Sequence, residues 1–242
     1  MTRRLGTIGV LGGMGPEAGA YLFAQIVRAA AAERDQDHPP VVVVSLPQVP
    51  DRTEAIVGGG PSPVPRMLRG LEALERAGAD FAVVACVSAH HFLPRLAARS
   101  PLPLLSLLEE TVAEVLRSRP APKTIGLLAT TGAVRSGLFD RAFAASGIRV
   151  IVPSARDQAR VMTAIYGKRG IKSGRPAASA RGALVAVARE LVRRGAGAVL
   201  AGCTEVPLVL RPSDLPVPLI EPLAIGARAA VRRAGARLRE GG

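Results

Sequence analysis

Short apolar runs that stop at glycine alternate along this chain with longer stretches whose apolar positions recur at helical spacing. TIGVLG (7–12) is a run of this first kind, the pattern of a strand buried on both faces. Residues 16–32 are Ala-rich and read as a helix, with Pro16 placed for its first turn. VVVVSL (41–46) predicts a second strand, and 63–77 a helix stopped by Gly78. FAVVAC (81–86) predicts a third strand, followed by a helix from about Ser88. The second half gives strand 124–129, helix 134–145, strand 149–152, helices across 155–167 and 178–194, and strand 198–202. The closing PLIEPLAIGARAAVRRAGARL reads as a short strand and a final helix. Regular strand–helix alternation indicates an α/β fold with parallel sheets.

The two halves are related by one offset. Thr7, Ile8, Gly9, Leu11 and Gly15 recur 117 residues later as Thr124, Ile125, Gly126, Leu128 and Gly132. The same offset carries Gly78 to Gly195, Ala79 to Ala196 and Cys86 to Cys203. Such a repeat predicts two pseudo-symmetric lobes, each a parallel sheet flanked by helices. The Pro-rich stretch 118–123 suits a hinge, with a second crossing near 211–218. The expected lobes are therefore 1–117 plus 214–242, and 118–213. Open parallel sheets bind ligands beyond the carboxyl ends of their strands. Both cysteines lie at such ends, as do the glycine turn 12–15 and Thr130-Thr131-Gly132. The active site is expected where these loops converge, in the cleft between the lobes.

Composition narrows the classes. The chain has 242 residues, 48 % of them apolar, enough for a sizeable core. No apolar run has the length of a membrane span. The opening MTRRLGTIGV reads as a strand entering a glycine turn rather than as a leader, so a cytoplasmic location is the default expectation. Net charge is +13, carried by 29 Arg and 3 Lys. The arginines are scattered, aromatic residues are only 3 %, and no nucleic-acid signature appears, so no nucleic-acid partner is expected. An anionic small substrate would find this surface attractive. The glycine turn has G-x-x-G-G-x-G spacing, unlike a dinucleotide loop, and no GK[ST] follows. None of Lys123, Lys168 and Lys172 has a convincing setting for a Schiff base. His90 and His91 are adjacent, His38 is distant and no carboxylate cluster joins them, so no metal site is expected.

By residue type alone, each cysteine could be a plain buried thiol. Their common offset argues instead for a symmetric functional pair. Cysteines just before helices are expected to ionise readily. Two thiols on opposite faces of one carbon can exchange a proton: one as thiolate removes it, the other as thiol returns it. Backbone N–H groups at the glycine loops and helix starts can steady the carbanion.

At these residues the chain resembles the aspartate/glutamate racemase family. The landmarks run nearly end to end: GGMGP (12–16), PQVPDRT (47–53), GADFAVVAC (78–86), Ala89-His90, GLLAT (126–130), Ile165-Tyr166, GCTE (202–205) and PLIEP (218–222). The resemblance implies an amino-acid racemase that needs no pyridoxal phosphate or other cofactor, with Cys86 and Cys203 as catalytic bases. It implies a substrate-carboxylate role for Arg52, a covering loop at Met14 and Gly15, donors at Thr130 and Thr204, and a cleft lysine at Lys172. Glu205 is read as a helix-start or supporting carboxylate, not a base. A homodimer is a further expectation of the family. The family's usual Asn-Thr after the first cysteine is here Val87-Ser88; Ser88 keeps a hydroxyl. Its later Thr is Ala133 and its Tyr is Phe139. These losses of polarity make the substrate either aspartate, glutamate or a relative, or a less polar carbon acid. The wider superfamily of hydantoin racemases, maleate isomerases and arylmalonate decarboxylases handles such carbon acids.

Overall fold

The structure is a computed structural model that describes residues 4–239. Four parallel strands form the first sheet: β1 (Ile8–Gly12), β2 (Val41–Ser45), β3 (Phe81–Val84) and β4 (Leu104–Leu105), in the order β2-β1-β3-β4. The second sheet holds β5 (Thr124–Leu128), β6 (Arg149–Ile151), β7 (Ala198–Ala201) and β8 (Leu219–Ile220), in the order β6-β5-β7-β8, again parallel. The sequence repeat extends to strand register. Ile8 pairs with Phe81, and Ile125 pairs with Ala198; the same 117-residue offset relates both partners.

Helices α1 (Pro16–Ala29), α2 (Arg52–Val57), α3 (Val64–Arg76), α4 (Leu93–Ala97) and α5 (Leu107–Arg117) belong to the first half of the chain. Helices α6 (Thr131–Arg135), α7 (Leu138–Phe143), α8 (Ala155–Tyr166), α9 (Ala178–Arg193) and α10 (Pro222–Arg233) follow. The helices before the two cysteine strands stop in the same way. Gly78 and Gly195 take φ values of +86° and +96°. The amides of Ala79 and Ala196 then donate to the carbonyls of Leu74 and Leu191. This glycine stop turns the chain directly into β3 and β7, which delivers Cys86 and Cys203 to the carboxyl ends of equivalent strands.

Three segments depart from the hydrophobic pattern. The expected helix 134–145 is two helices, α6 and α7, because Gly137 adopts φ +61° and turns a corner that buries Phe139 and Phe143. The helix expected from Ser88 starts as a 3-10 turn, Ser88–Phe92. Pro94 lacks an amide proton, so the α-helical ladder restarts at α4. The pattern assigns nothing to 104–117, where the structure has β4 and α5. Two residues are too few for strand alternation to show. The start of α5 did carry a signal: Ser106 Oγ accepts from the Glu109 amide at 3.2 Å, an S-x-x-E helix start.

The core is continuous between the halves. Ile8, Val10 and Leu22 belong to one apolar cluster with Ile125, Leu127, Phe139, Phe143 and Leu200. Two further clusters hold Leu11 and Met67 in the first half, and Leu128 and Leu184 in the second. The chain end is shared: β8 completes the second sheet, whereas α10 packs on α1 and α5. Between them Glu221 Oε2 accepts from Tyr21 of α1 at 2.9 Å. Among the described residues, no helix is long and apolar enough to cross a membrane.

Candidate active site

Both cysteines are free thiols, each 5 % exposed, and both line one small cavity between the two sheets. Its other lining residues are Met14, Arg52, Val87, Ser88, Thr130, Tyr166, Lys172, Thr204 and Glu205. Every residue expected at the site from sequence is thus at this cavity, except Gly15. Gly15 lies at an adjoining outer hollow of about 440 Å³ that shares Arg52, Lys172 and Glu205. The inner cavity has no more free space than about one water molecule needs.

Cys86 is fixed from behind by His90. The Leu107 amide, which can only donate, gives its hydrogen to His90 Nε2 at 3.0 Å. Nδ1 therefore carries the ring proton and donates to the Cys86 carbonyl at 3.0 Å. Burial drives the His90 pKa down to about 4. The ring is neutral when folded and takes up a proton near 6.5 when unfolded. The unfolded chain thus binds the extra proton between these values, so stability rises with pH across that window. Acidification from pH 7 towards 4 is expected to cost up to about 3 kcal/mol through this residue. Urea unfolding at a series of pH values should show this slope, and His90→Gln should flatten it. An unchanged slope would mean that His90 is not the group responsible.

Arg52, only 6 % exposed, starts α2. Its Nη1 donates to the carbonyls of Val49 and Pro50 at 3.0 and 2.8 Å, and its Nη2 donates to the Met14 carbonyl at 3.0 Å. The guanidinium thus props the glycine loop while Nε lacks a protein acceptor. Burial opposes its charge, but Cys86 and Asp51 nearby more than compensate and raise its pKa.

The second half contributes a linked set. Cys203 Sγ donates to Glu205 Oε2 at 3.0 Å, and the Thr204 hydroxyl donates to the same oxygen at 3.2 Å. Glu205 Oε1 accepts from Lys172 Nζ at 2.9 Å and from the Gly15 amide of the first half at 2.8 Å. Lys172 Nζ also reaches the Met14 carbonyl at 3.3 Å. Burial works against ionising Glu205, but Lys172 and these donors outweigh it and lower its pKa. Burial likewise disfavours the Lys172 charge, and the Glu205 carboxylate foremost, with the anionic form of either cysteine adding to it, more than restores it. Burial first, and the Glu205 carboxylate second, push the Cys203 thiol well above its ordinary range. This corrects the expectation that both thiols ionise readily. No α-helix begins at Cys203; only a three-residue 3-10 turn, Val206–Leu208, follows, and a carboxylate stands where a helix start was expected.

The remaining hydroxyls cross between the halves. Ser88 Oγ and Thr130 Oγ1 are 3.2 Å apart, and Thr130 also caps α6 by accepting from the Ala133 amide at 3.4 Å. Of the three apolar replacements seen in sequence, Val87 faces the cavity. Ala133 and Phe139 belong to the core shared by the two halves and are not among its lining residues. Tyr166 escaped the sequence reading as a site residue, although Ile165-Tyr166 stood out as a landmark. Its hydroxyl donates to Asp51 Oδ2 at 2.9 Å and its ring lies 5.4 Å from Lys172 Nζ. Among the described residues, no group of His, Cys, Asp and Glu has the arrangement to hold a metal ion.

Residues 11–230 match the Asp/Glu/Hydantoin racemase family. The chain is 24 % identical over 230 residues to the broad specificity amino-acid racemase RacX of Bacillus subtilis (strain 168), covering 93 % of this chain and 96 % of that protein. The aspartate racemase of Picrophilus torridus superposes with a TM-score of 0.85 at 28 % identity, covering 97 % of this chain and 96 % of the other. An aspartate racemase homologue from Pyrococcus horikoshii OT3 superposes with a TM-score of 0.72 at 20 % identity, covering 95 % and 99 % of the two chains.

Proposed function

The chain belongs to the Asp/Glu/Hydantoin racemase family, and from that premise we propose that it racemises an amino acid by two-base proton transfer without a cofactor. One observation supports this above the others: two free thiols, at repeat-related positions of two sheets, line a single cavity with two cations. In one direction the Cys86 thiolate takes the α-proton, and the electron pair passes into the substrate carboxylate. The Cys203 thiol then gives its proton to the opposite face of the carbon and becomes the thiolate. The reverse direction exchanges the roles. Arg52 and Lys172 supply positive charge beside the carboxylate where negative charge builds. Ser88, Thr130 and Thr204, with the Met14-Gly15 loop, orient the bound acid. The cavity as it stands admits no amino acid, so substrate entry requires the cleft to open.

Aspartate, glutamate or a related amino acid is the substrate class in this reading, in a homodimeric cytoplasmic enzyme. Val87 favours a second reading in which the same thiols act on a less polar carbon acid. A panel of single amino-acid enantiomers in D₂O, without pyridoxal phosphate, tests both. Deuterium at the α-carbon together with inversion is expected on at least one member. Exchange confined to apolar side chains would support the second reading. A panel with no exchange at all would overturn racemisation.

A further inference from the structure

Glu205 touches four things at once: the Cys203 thiol, the Thr204 hydroxyl, the Lys172 ammonium and the backbone of the opposite lobe. Its two oxygens divide these tasks. Oε1 is occupied by Lys172 and Gly15, so it fixes the carboxylate in place. Oε2 faces Cys203 at 3.0 Å and can only accept. A carboxylate in that position accommodates a thiol and repels a thiolate. Cys86 has no such neighbour among the lining residues; it faces Arg52 instead. The repeat thus makes the two thiols equivalent by position, while the residues beside them make them unequal. We propose that Glu205 is a positioning residue that keeps Cys203 protonated in the closed cleft, so that the resting enzyme is set with Cys203 as the acid.

The proposal deepens the two-base reading of this site and rests on it. When the Cys203 S–H bond breaks to form the new C–H bond, the thiolate left behind lies against the Glu205 carboxylate. That repulsion favours return of a proton to Cys203, from solvent or from the next substrate. Racemisation has an equilibrium constant of one, so kcat/KM is equal from either enantiomer. The inequality of the thiols can appear only in how kcat and KM divide between the two directions.

The groups facing Cys203 are Glu205 beside it, Lys172 from the segment before α9, the Tyr166 hydroxyl from α8, and Cys86 with Arg52 across the cavity. Glu205 raises the thiol and Lys172 lowers it, which gives two substitutions with opposite predicted signs. The test is the pH dependence of iodoacetamide alkylation at each cysteine, read by peptide mass spectrometry on the full chain. Access to a buried thiol scales the rate without moving the midpoint, whereas proton affinity moves the midpoint. Glu205→Gln is expected to lower the Cys203 midpoint by roughly one to two pH units and leave that of Cys86 in place. Lys172→Met is expected to raise the Cys203 midpoint; should the Gln variant not fold, Glu205→Asp, whose shorter side chain draws the carboxylate away from the thiol, is expected to lower that midpoint and carries the test. Unmoved midpoints, even with faster alkylation of both thiols, would overturn the proposal and leave Glu205 as a latch only. This readout needs no turnover, so its failure is separate from failure of the racemase reading, which the D₂O exchange decides.

Discussion

Serine in place of either cysteine is expected to abolish inversion of configuration, with losses of about 10²–10⁴-fold. The hydroxyl keeps roughly the shape of the thiol but is a far weaker acid, so neither proton removal nor return proceeds at neutral pH. The two variants should nevertheless differ. With Cys203→Ser, Cys86 can still remove and restore the proton on its own face, so one enantiomer should gain solvent deuterium without inverting. With Cys86→Ser, that exchange should move to the opposite enantiomer. Chiral chromatography for inversion and proton NMR for the α-position measure the two processes separately. Full inversion in either variant would remove that cysteine from the mechanism. Turnover of a malonate- or maleate-like acid that depends on only one thiol would instead favour nucleophilic or decarboxylating chemistry on the same fold.

The pairing behind this prediction is legible in the sequence itself. A strand ending at glycine and a strand ending at cysteine each leave local marks, and a shared offset ties the marks together. The structure repeats that offset in strand register, because side chains that fill equivalent core positions demand equivalent pairing. The supporting contacts left no such marks. Gly15 and Glu205 are far apart in sequence and belong to different lobes, as do Tyr166 and Asp51. Nothing in periodicity joins residues whose only relation is a contact across a cleft. The GCTE segment announced Glu205, but not that its carboxylate would accept from the neighbouring thiol. Likewise Ala89-His90 stood out, while the amide of Leu107 that fixes the ring's tautomer lay in a segment without an assigned element. Val87, Ala133 and Phe139 looked alike in sequence as lost polar groups. All three belong to one core cluster, and only the fold shows that Val87 also lines the cavity while the other two do not.

Arg52 links the stability of the cleft to its chemistry, and its substitution should show both. Arg52→Met fills much of the same volume but leaves the carbonyls of Val49, Pro50 and Met14 without their donors. Unpaired buried acceptors cost about 1–3 kcal/mol each, and partial relaxation recovers some of this. A net loss of about 2–4 kcal/mol is expected, measurable as a shift of the urea midpoint. Arg52→Lys separates geometry from charge. Lysine keeps the positive charge near Cys86, but a single ammonium cannot serve three carbonyls spread over two loops as the planar fork does. The Met14-Gly15 loop would then lose its support from below while keeping its contacts to Glu205 and Lys172. Turnover is expected to fall about 10²-fold through misplacement of the loop over the reacting carbon, with a smaller loss of stability than in the Met variant. A Lys variant with wild-type kcat and KM would show that charge alone suffices. A Met variant with wild-type stability would show that those three carbonyls find other donors, and the propping role would fall.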